Sequence, residues 1–103
     1  MKVLARGYRT ALGEVDLVCR DGNVVVFVEV KTRRHGHPEE AVDLNKQKRL
    51  TRAALHFLKR YRLLENAARF DVVAITWADD GQAARINHFA NAFEPHGRWQ
   101  LFH

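Results

Sequence analysis

A single cysteine, Cys19, leaves this sequence unable to form an internal disulfide or a multi-cysteine zinc site. The chain is therefore expected to rely on packing in a reducing compartment, with Cys19 a small core hydrophobe. No apolar run approaches the roughly 20 residues that a membrane span requires, and Met1-Lys2 leads into a stretch too short for a signal-peptide core. A cytoplasmic protein that does not engage membranes is the expectation. Internal repeats, low-complexity segments and linkers are also missing, which favours one domain over residues 1–103. What is present fits that size: 47% hydrophobic and 28% charged residues suffice for one modest core. Seventeen Lys and Arg against 12 Asp and Glu give a formal charge of +5, a balance that favours polyanionic partners.

The pattern along the chain predicts an α/β fold. Leu4 to Arg9 and Glu14 to Arg20 read as strands separated by Gly13, the second because polar and apolar residues alternate through Glu14-Val15-Asp16-Leu17. Val24 to Val30 is so rich in β-branched residues that it fits a strand buried on both faces, with Asp21-Gly22-Asn23 as the turn before it. Asp43 is a suitable N-cap for a helix running to about Tyr61, with an apolar stripe of Leu50, Ala54, Phe57, Leu58 and Tyr61. Strands at Phe70 to Trp77 and near Arg85 to Phe89 follow, then an aromatic tail through Phe93, Trp99 and Phe102. The resulting expectation is a small mixed sheet with a three-strand meander, one long helix packed across it and further strands.

Two acids interrupt apolar strands: Asp16 between Val15 and Leu17, and Glu29 between Val28 and Val30. A carboxylate in a half-buried strand loses hydration unless a cation or a set of donors replaces it. An ion pair, or exposure of one strand face, is the plainer explanation for either acid alone. Period-two alternation, however, places Glu14 with Asp16 on one face and Glu29 with Lys31 on one face. A two-residue Gly22-Asn23 turn pairs residue 21 with 24, setting Asp16 opposite Glu29 and Glu14 opposite Lys31, whereas a three-residue loop without a bulge separates the acids. Clustered, these groups suit metal-assisted phosphodiester hydrolysis, in which carboxylate oxygens hold Mg²⁺ or Mn²⁺ and an ammonium stabilises charge growing on the phosphate.

The run Gly13-Glu14-Val15-Asp16-Leu17-Val18, followed by Val26-Phe27-Val28-Glu29-Val30-Lys31-Thr32-Arg33, resembles the core of PD-(D/E)XK nucleases. Pro38-Glu39-Glu40-Ala41-Val42-Asp43, Lys46-Gln47 and Arg69-Phe70-Asp71-Val72-Val73 extend the similarity to the bacterial YraN-like family, related in fold to Holliday junction resolvases. The resemblance implies a restriction-endonuclease-like fold. It implies further that Asp16, Glu29 and the Val30 carbonyl ligate the metal, that Lys31 is catalytic, and that Glu14 and Gln47 support the site. DNA, ahead of RNA, becomes the expected substrate, with branched or structured, single-stranded and duplex forms all open, and kinship with the resolvases implies a homodimer by analogy of fold. Proteins of this kind usually begin with a helix carrying another acidic residue, and this sequence starts at the first strand. A nuclease-derived domain that binds nucleic acid without cutting is therefore the alternative.

Basic residues supply a second line of argument. Lys46, Lys48, Arg49 and Arg52 crowd the first turns of the helix, close in sequence to Arg33 and Arg34, and like charges at a helix's positive end are locally unfavourable. An anionic partner offsets that cost, which makes these six residues the expected phosphate contacts, against the plainer reading of a solvated helix face. His35 and His37 in a Gly-Pro loop lack the further soft ligands of a zinc site.

Overall fold

The computed structural model describes residues 1–34, 42–77 and 84–95. Five strands and one helix follow one another as β1 (Lys2–Thr10), β2 (Gly13–Asp21), β3 (Val24–Arg34), α1 (Leu44–Arg60), β4 (Ala68–Trp77) and β5 (Ala84–Phe93). The strands form a single mixed sheet in sequence order. β1, β2 and β3 make the expected antiparallel meander, α1 carries the chain across, and β4 returns parallel to β3 before β5 closes the order antiparallel.

Local chemistry explains the elements. Gly22, with φ at 58°, opens the two-residue turn that pairs Asp21 with Val24. From that pair the β2–β3 ladder runs regularly to Leu17 and Val28, the register on which the acid cluster depends. At the helix start, the Asp43 side chain accepts the Lys46 N–H at 2.9 Å, so an otherwise orphaned backbone donor is satisfied. Gln47 Nε2 donates to the Val42 carbonyl at 2.8 Å and ties the same end to a buried residue.

The core lies between α1 and one face of the sheet, where Leu50, Ala53, Ala54, Phe57 and Leu58 meet Val15, Val18, Val25, Phe27 and Phe70. Phe57 stands edge-on to both Tyr8 and Phe27, with centroids 5.1 and 5.9 Å apart, the geometry that ring quadrupoles favour. A smaller cluster of Cys19, Val26 and Val28 occupies the opposite face, so β3 is buried on both sides as its composition predicts. Tyr61 departs from expectation. Placed in the apolar stripe by spacing, it is the C-cap, 49% exposed, its ring tilted at 44° against Phe57 with the Arg60 guanidinium over it. At the last position of a helix the backbone turns away, and helical spacing no longer dictates a face.

A second departure shapes the site. Simple alternation fails in β2, because Val15 and Val18 both enter the helix-side core while Leu17 and Cys19 pack on the other face. β1 breaks in step: Tyr8 and Ala5 share the helix side, and Gly7 between them takes φ of +59°. The pairs Arg6 with Leu17 and Tyr8 with Val15 bracket both breaks, so left-handed Gly7 lies across from Asp16. Each strand reverses its faces at the same point. Asp16 thereby sits where the pleat is interrupted, and Glu14, one residue beyond Val15, turns to the face away from α1. Glu14 and Asp16 do not share a face as alternation predicts.

Candidate metal centre

Glu29 occupies the helix side of β3, two residues after Phe27, and is only 5% exposed. Its carboxylate is ion-paired with the ammonium of Lys46 from the first turn of α1. Asp16, half-buried on the neighbouring strand, places Oδ2 2.8 Å from the backbone nitrogen of Val30 and accepts its N–H. Continuing the ladder one step past Leu17 and Val28 brings Asp16 across from Glu29. The two carboxylates lie within hydrogen-bonding reach of each other. Burial raises the Glu29 pKa above its ordinary value and the nearby Asp16 charge raises it further, against the lowering effect of Lys46.

Lys31 follows Glu29 at a period of two, which puts it on the same helix-side face of β3, half-buried and paired in register with Ala74 of β4. Three of the expected residues, Asp16, Glu29 and Lys31, are thus brought to one region of the sheet. Glu14 goes elsewhere, its Oε1 lying 3.4 Å from Arg9 Nε, so it braces the β1–β2 hairpin rather than facing Lys31. Gln47 holds the start of the helix through Val42.

The basic residues separate into two groups. Lys46, expected among the phosphate contacts, is turned inward onto Glu29, whereas Lys48, Arg49 and Arg52 are exposed on α1. Arg33 and Arg34 continue β3 in parallel register with Thr76 and Trp77. His35 and His37 lie outside the described residues, as do Trp99 and Phe102.

Gly13 shows how closely helix and hairpin approach. A Cβ there would fall 2.7 Å from the Arg49 carbonyl oxygen, so only glycine lets the start of β2 touch the first turns of α1. Arg49 lies within one turn of Lys46 on α1, so the close approach falls beside the Lys46–Glu29 pair.

A third buried acid was missed by sequence reasoning. Asp71 of β4 is completely buried, between Phe70 and Val72, and faces away from α1. Arg69 Nε donates to its Oδ1 at 3.0 Å, the Asn91 N–H donates to the same oxygen at 2.9 Å, and His88 Nε2 lies 2.6 Å from Oδ2. Burial alone would raise its pKa, yet these donors together hold it below the ordinary carboxylate value. Asn91 has φ of 52° at the register shift between β4 and β5, so Asp71 fixes the backbone irregularity of the last strand. The signal was available, since Asp71 interrupts an apolar strand just as Asp16 and Glu29 do.

Among the described residues no three His, Cys, Asp or Glu side chains converge as a complete metal cage, and no helix is long and apolar enough to cross a membrane. Fold and site define a mixed α/β domain bearing a carboxylate pair at a strand-to-strand junction beneath a helix N-terminus. The chain belongs to the uncharacterised protein family UPF0102, the YraN-like family, whose family model matches residues 1–75. It is 49% identical over 96 residues to a UPF0102 protein of Geobacter metallireducens, covering 90% of this chain and 77% of the relative. A UPF0102 protein of Anaeromyxobacter dehalogenans is 48% identical over 100 residues, 94% of this chain and 73% of the relative. One from Caldicellulosiruptor saccharolyticus is 42% identical over 95 residues, 89% and 80% of the two chains.

Proposed function

We propose that this domain is a restriction-endonuclease-like, divalent-metal-dependent nuclease of the PD-(D/E)XK type that hydrolyses DNA phosphodiester bonds. The observation that carries the reading is the pairing of Asp16 with buried Glu29 across β2 and β3, with Lys31 following on the same strand. Two adjacent carboxylates hold excess negative charge that a hard divalent cation relieves, and Mg²⁺ commonly binds through only one or two carboxylates, waters and substrate phosphate. The donor set therefore fits the ion.

Asp16 and Glu29 are the side chains that would hold it, joined by the Val30 carbonyl that the YraN-like resemblance implies. When bound, such an ion polarises the phosphate and lowers the pKa of a coordinated water. The chain's own contribution is positional and electrostatic. Val30 N–H fixes the direction of the Asp16 carboxylate, and Lys31 supplies an ammonium to orient the attacking water or offset charge developing on the phosphate. Exposed Lys48, Arg49 and Arg52 give α1 a cationic surface for a phosphate backbone, which reads charge and shape rather than sequence.

Cleavage of labelled four-way-junction, flap and single-stranded DNA with Mg²⁺ or Mn²⁺ tests the proposal, comparing the native chain with Asp16→Asn and Lys31→Ala. Cutting by the native chain alone supports it. The Lys46–Glu29 ion pair favours a second reading, in which a cation of the chain already neutralises the acids and the domain binds nucleic acid without cutting. Salt-sensitive binding equal in all three proteins, with no cleavage in any, supports that alternative.

A further inference from the structure

The Lys46 ammonium stands in an unusual place for a helix cation. It belongs to the first turn of α1, which has no acidic residue, and the positive end of a helix dipole disfavours it there. Asp43 caps the same turn by accepting the Lys46 N–H, fixing the backbone from which the side chain reaches inward. Its end is paired with Glu29, whose side chain is 6% exposed, while the Lys46 side chain itself is 40% exposed. The two halves of this ion pair are therefore unequal. Glu29 is largely shielded from water, but Lys46 can withdraw along its flexible stem and be hydrated at little cost.

Charge balance points the same way. Asp16 and Glu29 together carry two negative charges in their ionised forms, and the Lys46 ammonium is held by one member of that pair, Glu29. A divalent cation compensates both charges. An ammonium and a metal ion cannot sit on the same carboxylate oxygen without repulsion, so the two compete for Glu29.

We propose that Lys46 is a displaceable counter-ion of the Asp16–Glu29 pair, holding Glu29 when no metal is bound and leaving it when a divalent cation enters. The inference rests on the metal-site reading above and assigns Lys46 a positioning role within it. Lys46 offsets the charge of buried Glu29, beside half-buried Asp16, in the absence of metal. Once released, it joins Lys48, Arg49 and Arg52 at the surface of α1, so metal entry adds one cation to the face that meets phosphates.

The test is calorimetric titration of Mn²⁺ at pH 8 into the native chain, Lys46→Met, Lys46→Gln, Lys48→Met and Asp16→Asn, with melting temperatures recorded with and without the ion. Both Lys46 variants are expected to bind Mn²⁺ about tenfold more tightly than the native chain, through removal of a competing charge in contact with Glu29. Their metal-free melting temperatures should fall and recover with saturating Mn²⁺. Lys48→Met, which removes an equal charge from the neighbouring surface, is expected to change affinity less than twofold. Gln at position 46 retains a hydrogen-bond donor for Glu29, so it reports even if Met prevents folding. Unchanged or weaker Mn²⁺ binding in both Lys46 variants, or an equal gain in Lys48→Met, overturns the counter-ion role while leaving the metal site intact if Asp16→Asn still abolishes binding. Binding in Asp16→Asn equal to the native chain overturns the site itself, and absence of binding in the native and Lys46 variants alike overturns both.

Discussion

Asp16 Oδ2 accepts the Val30 N–H at 2.8 Å, so a side chain of β2 satisfies a backbone donor of β3 just beyond the Leu17–Val28 end of the ladder between them. Structure and proposed chemistry are joined in one carboxylate. Asp16→Asn keeps an acceptor oxygen and is expected to melt within a few degrees of the native chain while losing Mn²⁺ binding and cleavage. Asp16→Ala leaves the Val30 N–H without its partner and is expected to cost a further 1–3 kcal/mol or so. Chemical denaturation of the two variants distinguishes the contributions.

Glu29 carries a stability cost of its own. Its folded pKa is raised above the usual value of 4.5, so ionisation opposes folding: the carboxyl is accommodated fully at pH below that value, and stability is lost as pH rises through the folded pKa. Glu29→Gln removes that cost and leaves Lys46 free to hydrate. It is expected to match or exceed native stability at pH 8 by about 1 kcal/mol while abolishing Mn²⁺ binding. For the same reason, metal binding by the native chain is expected to strengthen as pH rises through the Glu29 pKa, which calorimetry at a series of pH values would follow.

Asp71 has the opposite sign. Its pKa is depressed below the usual 3.8, so its stabilising effect is complete above that value and is lost as pH falls through the folded pKa. Asp71→Ala leaves the Arg69 guanidinium and the Asn91 N–H without their buried acceptor and is expected to destabilise by about 3 kcal/mol. Acid titration of the native chain, monitored by the environment of His88, should show β5 loosening only as pH falls below 3.8.

Gly13→Ala is expected to cost 1–3 kcal/mol or so, because its new methyl meets the Arg49 backbone carbonyl rather than a movable side chain. A thermal melt is sufficient to detect this. Since the same close approach falls beside the Lys46–Glu29 pair, the variant should also alter Mn²⁺ affinity.

Neutralising Lys48, Arg49 or Arg52 is expected to weaken DNA binding uniformly across sequences and to lower the slope of log affinity against log salt by about 0.9 per phosphate contact removed. Fluorescence anisotropy at several salt concentrations measures that slope.

The meander, the Gly22-Asn23 turn and the Asp43 cap were legible because each rests on local chemistry: β-branched runs, a glycine with positive φ and a side-chain acceptor for orphaned N–H groups. The register that brings Asp16 to Glu29 was one of two that the sequence allowed, and the two-residue turn pairing Asp21 with Val24 selects it. Alternation failed at Glu14 because the paired breaks at Gly7 and Asp16 depend on two strands at once, and a period read along one strand carries no information about its neighbour. The pairing of Lys46 with Glu29 was not legible for a related reason. Its charge resembles that of Lys48 and Arg49 in sequence, and only the packing of α1 on the hairpin shows which cation faces Glu29.

The parallel pairing of β3 with β4 has a consequence for how the molecule is made. Asp16 and Glu29 lie on adjoining strands of one hairpin, so their meeting requires closure of only a short loop. β4 must be brought back from beyond α1, a far longer closure that slows assembly. Loop length therefore favours the meeting of the two acids before the return of the strand that completes the sheet beside them, so the carboxylate pair belongs to the most local part of the fold.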